Sequence, residues 1–185
     1  TEIYTLSLHD ALPIFDVCAA PGGKALHAGE IAKSGHVLAR DLTNAKVELI
    51  QSNIDRTGAD NVTAERWDAT EFDPESENKY DVVIADLPCS GLGIVRKKPD
   101  IKYNQTEASL QELTSLQAKI LDNASRYVKA GGTLCYSTCT INKAENDIQV
   151  ENFLRSHSQY RIVEQEQLFP DRNHDGFYIC VMKKN

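Results

Sequence analysis

Two cysteines stand in short motifs that could place a reactive thiol at the edge of a sheet. Cys89 lies in DLPCSG, at the end of the apolar run YDVVIADLP, and Cys139 lies in STCT, at the end of the apolar run TLCYST. An acid, Asp86, opens the first motif beside Pro88. A thiolate is a strong nucleophile, and a carboxyl group beside a fixed turn can direct hydrogen bonds to a planar ring. These residue types predict nucleophilic chemistry.

The cysteines also have less specific interpretations. The chain has five cysteines without a CxxC pair, which argues against a disulfide framework and favours a reducing compartment. Cys135 and Cys180 fall within apolar strands, and we interpret them as small buried hydrophobic residues. Zinc held by Cys89, Cys135 and Cys139 would be poorly spaced, so we expect no metal.

A third motif, DVCAAPGGK, predicts a turn whose backbone a ligand approaches closely. We call residues 18–24 the glycine loop; its members are Cys18, Ala19, Ala20, Pro21, Gly22, Gly23 and Lys24. The pattern is neither GxGxxG nor a P-loop. Asp41 follows at the distance of an acid that binds ribose hydroxyls, so the motif predicts a nucleoside-bearing cofactor. The alternative is an ordinary strand-to-helix turn, with Asp41 capping the next helix.

The elements that position these motifs alternate regularly, as in an α/β fold. The first three predicted strands end in or near an acid, at Asp16, Asp41 and Asp68, and Asp86 lies near the end of the fourth. Strands are predicted over residues 14–18, 36–41, 61–68, 80–88, 133–138, near 160–165, and 177–184. Helices are predicted over residues 23–35, 44–58, about 106–128, where Gly131 and Gly132 then break the chain, and about 143–156.

Length and charge fit one globular domain that does not bind nucleic acid by charge alone. The 185 residues are 41% hydrophobic and carry a formal charge of −7. A domain that binds nucleic acid without other domains is usually basic. RNA binding by this acidic chain would therefore need local positively charged patches. The sequence has no membrane-length apolar run and no signal-peptide pattern, so we expect a cytoplasmic protein.

The first segment, TEIYTLSLHDALPI, does not share the alternation, and Pro13 separates it from the first predicted strand. A common sequencing-library adapter, read in one frame, encodes the same residues. We therefore expect residues 1–14 to be non-native and residues 15–185 to be the folded domain. A genuine N-terminal arm is the alternative, and the source DNA would decide between them.

DVCAAPGGK, DLPCSG and YSTCT, in this order, resemble the first, fourth and sixth motifs of RNA cytosine-5 methyltransferases that use S-adenosylmethionine. The stretches DLPCSGLGIVRKKPDIKY and DGFYICVMKK resemble more narrowly the branch that modifies 16S ribosomal RNA. The resemblance implies that residues 15–185 are a methyltransferase catalytic domain. It also implies a Rossmann-like, seven-stranded, mostly parallel sheet with an antiparallel last strand.

The resemblance implies a role for each motif. The glycine loop would hold the methionine end of S-adenosylmethionine, Asp41 its ribose and Asp68 its adenine, with Asp86 beside the methyl group. Cys139 would add to carbon 6 of cytosine, because carbon 5 is too weak a nucleophile alone, and Asp86 would hydrogen-bond ring nitrogen 3. Cys89 would assist release of the product.

The implied partner is RNA, with 16S ribosomal RNA as the expected substrate and neither DNA nor a membrane involved. The resemblance also implies that full-length relatives carry an N-terminal helical RNA-binding domain, which we expect to be absent from residues 15–185. A basic run, Arg96, Lys97, Lys98 and Lys102, could meet phosphates or be a solvated charge cluster. Two alternatives stay open: a tRNA substrate, and a cofactor- and RNA-binding protein with weak or no turnover. We expect a monomer.

Overall fold

A computed structural model describes residues 12–185. Seven strands form one sheet in the order β3-β2-β1-β4-β5-β7-β6. The strands are β1 (Pro13–Asp16), β2 (His36–Asp41), β3 (Val62–Arg66), β4 (Tyr80–Asp86), β5 (Val128–Thr138), β6 (Tyr160–Leu168) and β7 (Phe177–Lys184). Only β7 runs antiparallel to its two neighbours. This confirms the predicted fold class.

Five α-helices of the described residues connect the strands: α1 (Gly23–Ile31), α2 (Asn44–Thr57), α3 (Ile101–Asn104), α4 (Glu107–Tyr127) and α5 (Asp147–Ser156). A 3-10 turn covers Pro74–Ser76. The helix ends follow ordinary capping chemistry: the Thr43 hydroxyl accepts from Lys46 N–H at α2, and Thr106 and Ser109 form a capping box at α4. These N-terminal caps fix where the loops that leave β2 and β4 at the sheet edge end.

Two buried hydrophobic clusters cover the two faces of the sheet. Neighbouring residues of a strand point to opposite faces, and Ile14 and Phe15 of β1 accordingly lie in different clusters. Phe15 packs with Leu121 of α4 and Leu134 of β5. Ile14 packs in the cluster that contains Ile50 of α2. Burial on both faces explains the dense apolar pattern of the central strands.

The sheet reverses its strand order between β1 and β4. β1 pairs in parallel with β2 on one side and with β4 on the other. In open α/β sheets, the crevice for a ligand lies beyond the carboxyl ends of the strands at such a reversal. The glycine loop leaves β1 at this edge, and the Cys89 motif leaves β4 beside it.

Several predicted boundaries differ from the structure. Helix α1 ends at Ile31 rather than at Gly35, β1 ends at Asp16 and β4 ends at Asp86, two residues before their predicted ends, and β6 extends to Leu168. β5 begins at Val128 and contains Gly131 and Gly132, because the strand continues past an irregularity in its pairing with β4. Helix α5 begins at Asp147, since the residues before it form turns. β3 ends at Arg66, so Asp68 lies in the following loop.

The predicted foreign segment lies mostly outside the described residues, which begin at Leu12. Its last two residues, Pro13 and Ile14, belong to β1, and Ile14 is buried. The expected separation at Pro13 is therefore not found, and the foreign origin of residues 1–14 stays a prediction. Within residues 12–185, none of the helices is both long and apolar enough to span a membrane.

Candidate active site

A cavity of about 310 Å³ opens at the carboxyl edge of β1, β2 and β4. Residues from every predicted motif meet there: Cys18, Ala20, Asp41, Asp68, Asp86, Cys89 and Cys139 all line it. The remaining residues of the glycine loop complete its turn. The volume is in the range of small-molecule sites. The structure thus brings the cofactor candidates and the thiol candidates to one site.

The glycine loop is held to β2 by backbone contacts. Ala19 N–H donates to the Arg40 carbonyl at 2.9 Å, and Ala20 N–H donates to Asp41 Oδ2 at 2.9 Å. Gly22, just before α1, has a φ of +106°, a conformation that L side chains rarely adopt. These contacts place a short, small-residue turn against the cavity.

Asp41 lies at the end of β2 and is almost fully buried. Besides the Ala20 contact, its Oδ1 accepts from Leu42 N–H at 2.8 Å and lies 2.9 Å from Lys46 Nζ. The residue that caps α2 is Thr43. The alternative interpretation of Asp41 as the helix cap is therefore wrong, and its carboxylate instead lines the cavity.

The far wall of the cavity is formed by the loop after β3. Asp68 Oδ1 accepts from the N–H and the hydroxyl of Thr70, and these hydrogen bonds hold the pKa of Asp68 below its usual range. Trp67, the only tryptophan in the sequence, lines the cavity beside it. The Arg40 guanidinium lies 4.8 Å from the Trp67 ring centroid.

Sequence reasoning missed the apolar walls of this cavity. These residues are Leu42, Trp67, Leu116 and Ile120. Trp67 could have been found, since it is next to Asp68. Leu116 and Ile120 belong to α4 and look in the sequence like ordinary core positions, so nothing local marks them.

Asp86 contacts both the glycine loop and the STCT motif. Its Oδ2 lies 2.6 Å from Lys24 Nζ, and its Oδ1 accepts from the Ser137 hydroxyl at 2.7 Å. Lys24, predicted with the glycine loop, is thus paired with Asp86. Ser137 opens the STCT motif and was not predicted as a site residue. These two contacts fix the orientation of the Asp86 carboxylate.

Cys89 and Cys139 face each other, with 3.2 Å between their Sγ atoms. Backbone hydrogen bonds join the two loops, from Leu87 N–H to the Ser137 carbonyl and from Gly93 N–H to the Cys139 carbonyl. The hydrogen bond from the Cys89 thiol lowers the pKa of Cys139 to about 7. The same hydrogen bond, with burial, raises the pKa of Cys89. Cys139 is therefore the better nucleophile of the pair.

The other cysteines are poor nucleophiles. Burial raises the pKa of Cys18, and it raises the pKa values of Cys135 and Cys180 to about 12. Cys180 is fully buried, whereas Cys135 is partly buried. Within residues 12–185, no group of three or more histidine, cysteine, aspartate or glutamate side chains is arranged to hold a metal ion.

The basic run divides into two parts. Arg96 and Lys97 lie 3.7 Å and 2.6 Å from the Asp175 carboxylate, in the loop between β6 and β7. Lys98 and Lys102 are exposed, and neither forms an ion pair with the residues from Leu12 onward. Among the described residues, two of the four predicted cations are thus paired with Asp175 and two are not, and contact of this run with phosphates stays a prediction.

The strand order, with a cavity at its reversal, is that of the S-adenosylmethionine-dependent methyltransferases. The crystal structure of PH0851 is similar to the chain with a TM-score of 0.90 and 30% identity, covering 95% of this chain and 43% of that one. NSun6 from Pyrococcus horikoshii, solved with SFG, is similar with a TM-score of 0.83 and 27% identity, covering 94% of this chain and 48% of that one.

The chain belongs to the family described as 16S rRNA methyltransferase RsmB/F, whose model matches residues 3–183. A probable ribosomal RNA small subunit methyltransferase B from Bacillus subtilis is 37% identical over 191 residues, covering 92% of this chain. The alignment covers 43% of that relative, so the chain spans less than half of its length. The fold, the cofactor class and the family resemblance predicted from the motifs are confirmed.

Proposed function

We propose that this chain methylates carbon 5 of a cytosine in RNA, with 16S ribosomal RNA as its substrate, through a covalent cysteine adduct. The observation that carries the proposal is the Cys89 and Cys139 pair, 3.2 Å apart beside Asp86 in the cavity. Family membership supports ribosomal RNA as the substrate class. The names of the relatives support the small ribosomal subunit as its source.

The residues of the cavity suit S-adenosylmethionine. The small-residue glycine loop lets its methionine end approach the backbone near the start of α1. Asp41 would accept hydrogen bonds from the ribose hydroxyls, and Trp67, Asp68 and the apolar residues of α4 would hold the adenine. When bound, the cofactor supplies an electrophilic methyl group.

The first chemical step is attack by Cys139. Its thiolate Sγ forms a bond to carbon 6 of the target cytosine, and the electron pair of the carbon 5–carbon 6 double bond moves toward carbon 5 and the ring. Asp86 makes a hydrogen bond to ring nitrogen 3 and stabilises the charge that addition creates. A thiol with a pKa of about 7 supplies enough thiolate at neutral pH.

The second step forms the product. Carbon 5 takes the methyl group while the bond from that methyl to the sulfonium sulfur of S-adenosylmethionine breaks, and the bonding pair stays on that sulfur. A base then removes the carbon 5 proton, and its electron pair restores the double bond as the bond from Sγ to carbon 6 breaks. Cys139 leaves as a thiolate, and Cys89 stabilises it by donating its S–H from 3.2 Å. The net change replaces one proton on carbon 5 with one methyl group.

The base must leave its stack to reach this site. Cys139 lies in a cavity that a base within a duplex cannot enter, so a single-stranded or flipped-out cytosine is required. Lys98 and Lys102, in the stretch that follows the Cys89 motif, supply local positive charge for phosphates.

The test is transfer of labelled methyl groups from S-adenosylmethionine to unmodified 16S ribosomal RNA, with unmodified tRNA in parallel. We expect label on carbon 5 of cytosine in the ribosomal RNA. Cys139→Ala should lose it, whereas the matched control Cys135→Ala should keep it. Label only on tRNA would contradict 16S ribosomal RNA as the substrate. Cofactor binding without label on either RNA would contradict the proposed methyltransferase activity and indicate a binding protein.

A further inference from the structure

A buried carboxylate outside the proposed catalytic groups joins the two cysteine motifs. Glu145 is fully buried and forms no ion pair within the part of the chain that is described. Its Oε2 accepts from Ser90 N–H at 2.8 Å and from Gln117 Nε2 at 3.0 Å. Its Oε1 accepts from Asn142 Nδ2 at 3.0 Å. Every partner of this carboxylate is an N–H donor.

These donors belong to the segments that carry the two thiols. Ser90 directly follows Cys89, and Asn142 lies three residues after Cys139. The Ser90 hydroxyl also lies 2.8 Å from the hydroxyl of Thr140, the residue after Cys139. The carboxylate therefore connects the backbone beside one thiol to the segment beside the other.

Gln117 of α4 extends the same connection. Its Nε2 donates both to Glu145 Oε2 and, at 2.9 Å, to the Pro88 carbonyl on the other side of Cys89. Gln105 Nε2 donates to the Ser90 carbonyl at 3.1 Å. The polar backbone groups on both sides of Cys89 are thus fixed by side chains distant in sequence.

Burial of the Glu145 carboxylate is unfavourable in free energy. Burying a charge without a cation costs free energy, and well-packed apolar residues are often as stable as buried ionic groups. What a carboxylate adds here is acceptor capacity on two oxygens for three donors from three segments. The geometry suits a positioning role better than a purely stabilising one.

We propose that Glu145 is a positioning residue that sets the distance between the Cys89 and Cys139 sulfur atoms. The proposal relies on the proposed function only for what the two thiols do to RNA. Glu145 itself does not line the cavity. It acts by holding the residue after Cys89 against the segment after Cys139.

Glu145→Gln tests this directly, because the amide has nearly the same shape but only one acceptor oxygen. Its NH₂ group must then face at least one of the three N–H donors. We expect the two segments to separate at that point and the hydrogen bond from Cys89 to Cys139 to weaken. The other charged groups near Cys139, Asp86 and Lys24, are unchanged by this substitution.

The measurement is the rate of alkylation of Cys139 by iodoacetamide against pH, read from its peptide by mass spectrometry. In the wild type we expect the rate to rise with a midpoint near pH 7. In Glu145→Gln we expect a midpoint moved toward the ordinary cysteine value of about 8.5, and about tenfold slower alkylation at pH 7. The assay uses neither RNA nor cofactor.

Asp73→Asn is the matched control. Asp73 is also a buried carboxylate, it accepts from Arg40, Ser76 and Glu75 N–H, and it does not line the cavity. This variant should lower the melting temperature without moving the Cys139 midpoint. An unchanged midpoint in folded Glu145→Gln would overturn the proposal, and so would an equal shift in Asp73→Asn.

If Glu145→Gln does not fold, Gln117→Met tests the positioning role of Glu145 instead. Methionine removes the Gln117 donors together with Gln117 Oε1, a buried atom without a partner among the described residues. We therefore expect Gln117→Met to lower the free energy of unfolding less than Glu145→Gln does. We expect a smaller upward shift of the same midpoint, and no shift would overturn the proposal. A shifted midpoint in a protein whose wild type transfers no methyl groups would support the positioning role and refute the proposed function.

Discussion

The cofactor half of the cavity and its thiol half share one sheet edge but are held in different ways. In the cofactor half, Asp41 is fixed by backbone N–H groups of Ala20 and Leu42 that lie next to it or in the adjoining loop. In the thiol half, Cys89 and Cys139 are positioned through Glu145 and its partner Gln117 of α4.

The difference lies in which elements hold each half. The motif of nine residues supplies the small residues and the proline of the glycine loop, and contacts with the adjacent strand β2 hold the turn in place. The separation of two thiols in different loops cannot be set by either loop alone. The two halves should therefore respond independently to substitution, which the following experiments examine.

The largest effect is expected in the thiol half. Cys139→Ala should abolish turnover and adduct formation, because no other thiol near the cavity has a lowered pKa. Cys89→Ala should instead trap a covalent RNA complex that migrates slowly on a denaturing gel, because the departing thiolate loses its hydrogen bond. A trapped complex with Cys139→Ala and none with Cys89→Ala would reverse the two roles.

The next effect is expected in the cofactor half. Asp41→Asn should weaken S-adenosylmethionine binding by about 10-fold to 100-fold, since hydrogen bonds to a charged group contribute about 1.5–3 kcal/mol. Fluorescence of Trp67, which lines the same cavity, reports the binding. The alkylation midpoint of Cys139 should stay where it is. A moved midpoint would mean that the two halves are coupled, and the contrast drawn above would be wrong.

Sequence reasoning was most successful where function depends on local motifs. The seven strands, the glycine loop, Asp41, Asp86 and the cysteine pair were all found, because apolar runs and turn residues mark the ends of strands. Their meeting at one cavity follows from the parallel strands. The assignment of separate roles to them stays a prediction.

Other features could not be found because they depend on tertiary contacts. Glu145 looks in the sequence like any acid before a helix, and only the fold buries it beneath Ser90. The pairing of Arg96 and Lys97 with Asp175 joins residues more than 70 positions apart. No local pattern distinguishes these cations from Lys98.

A moderate effect is expected for the basic run. Replacing both Lys98 and Lys102 by alanine should weaken RNA binding. It should also reduce the steepness of the plot of log affinity against log salt concentration by about 1–2. Replacing Arg96 and Lys97 should instead lower thermal stability, because their partner Asp175 lies in the loop before β7. Filter binding at several salt concentrations separates the two. Equal salt dependence of RNA binding in both double variants would contradict the separate roles of Lys98 and Lys102 and of Arg96 and Lys97.

The smallest effect is expected at Asp16, where the two halves meet. Asp16 is buried at the end of β1, and its Oδ2 has no hydrogen-bond partner among residues 12–185. Burial, and then the nearby Asp86 carboxylate, raise the pKa of Asp16 to about 7 from an ordinary value of 3.8. The folded state therefore holds this proton more tightly than the unfolded state does.

Stability should accordingly fall as pH rises through this range. For a group whose pKa is raised by folding, the stabilising contribution is complete below the unfolded value and is lost as pH passes the folded value. Between pH 5 and pH 8 the wild type should lose several degrees of melting temperature on this account, and Asp16→Asn should lose less. Asp60→Asn, at an exposed position, is the control and should follow the wild type. If Asp16→Asn follows the wild type as well, the carboxyl at the junction is already ionised at pH 5. Its charge would then be accommodated jointly by both halves of the site, which would no longer be independent.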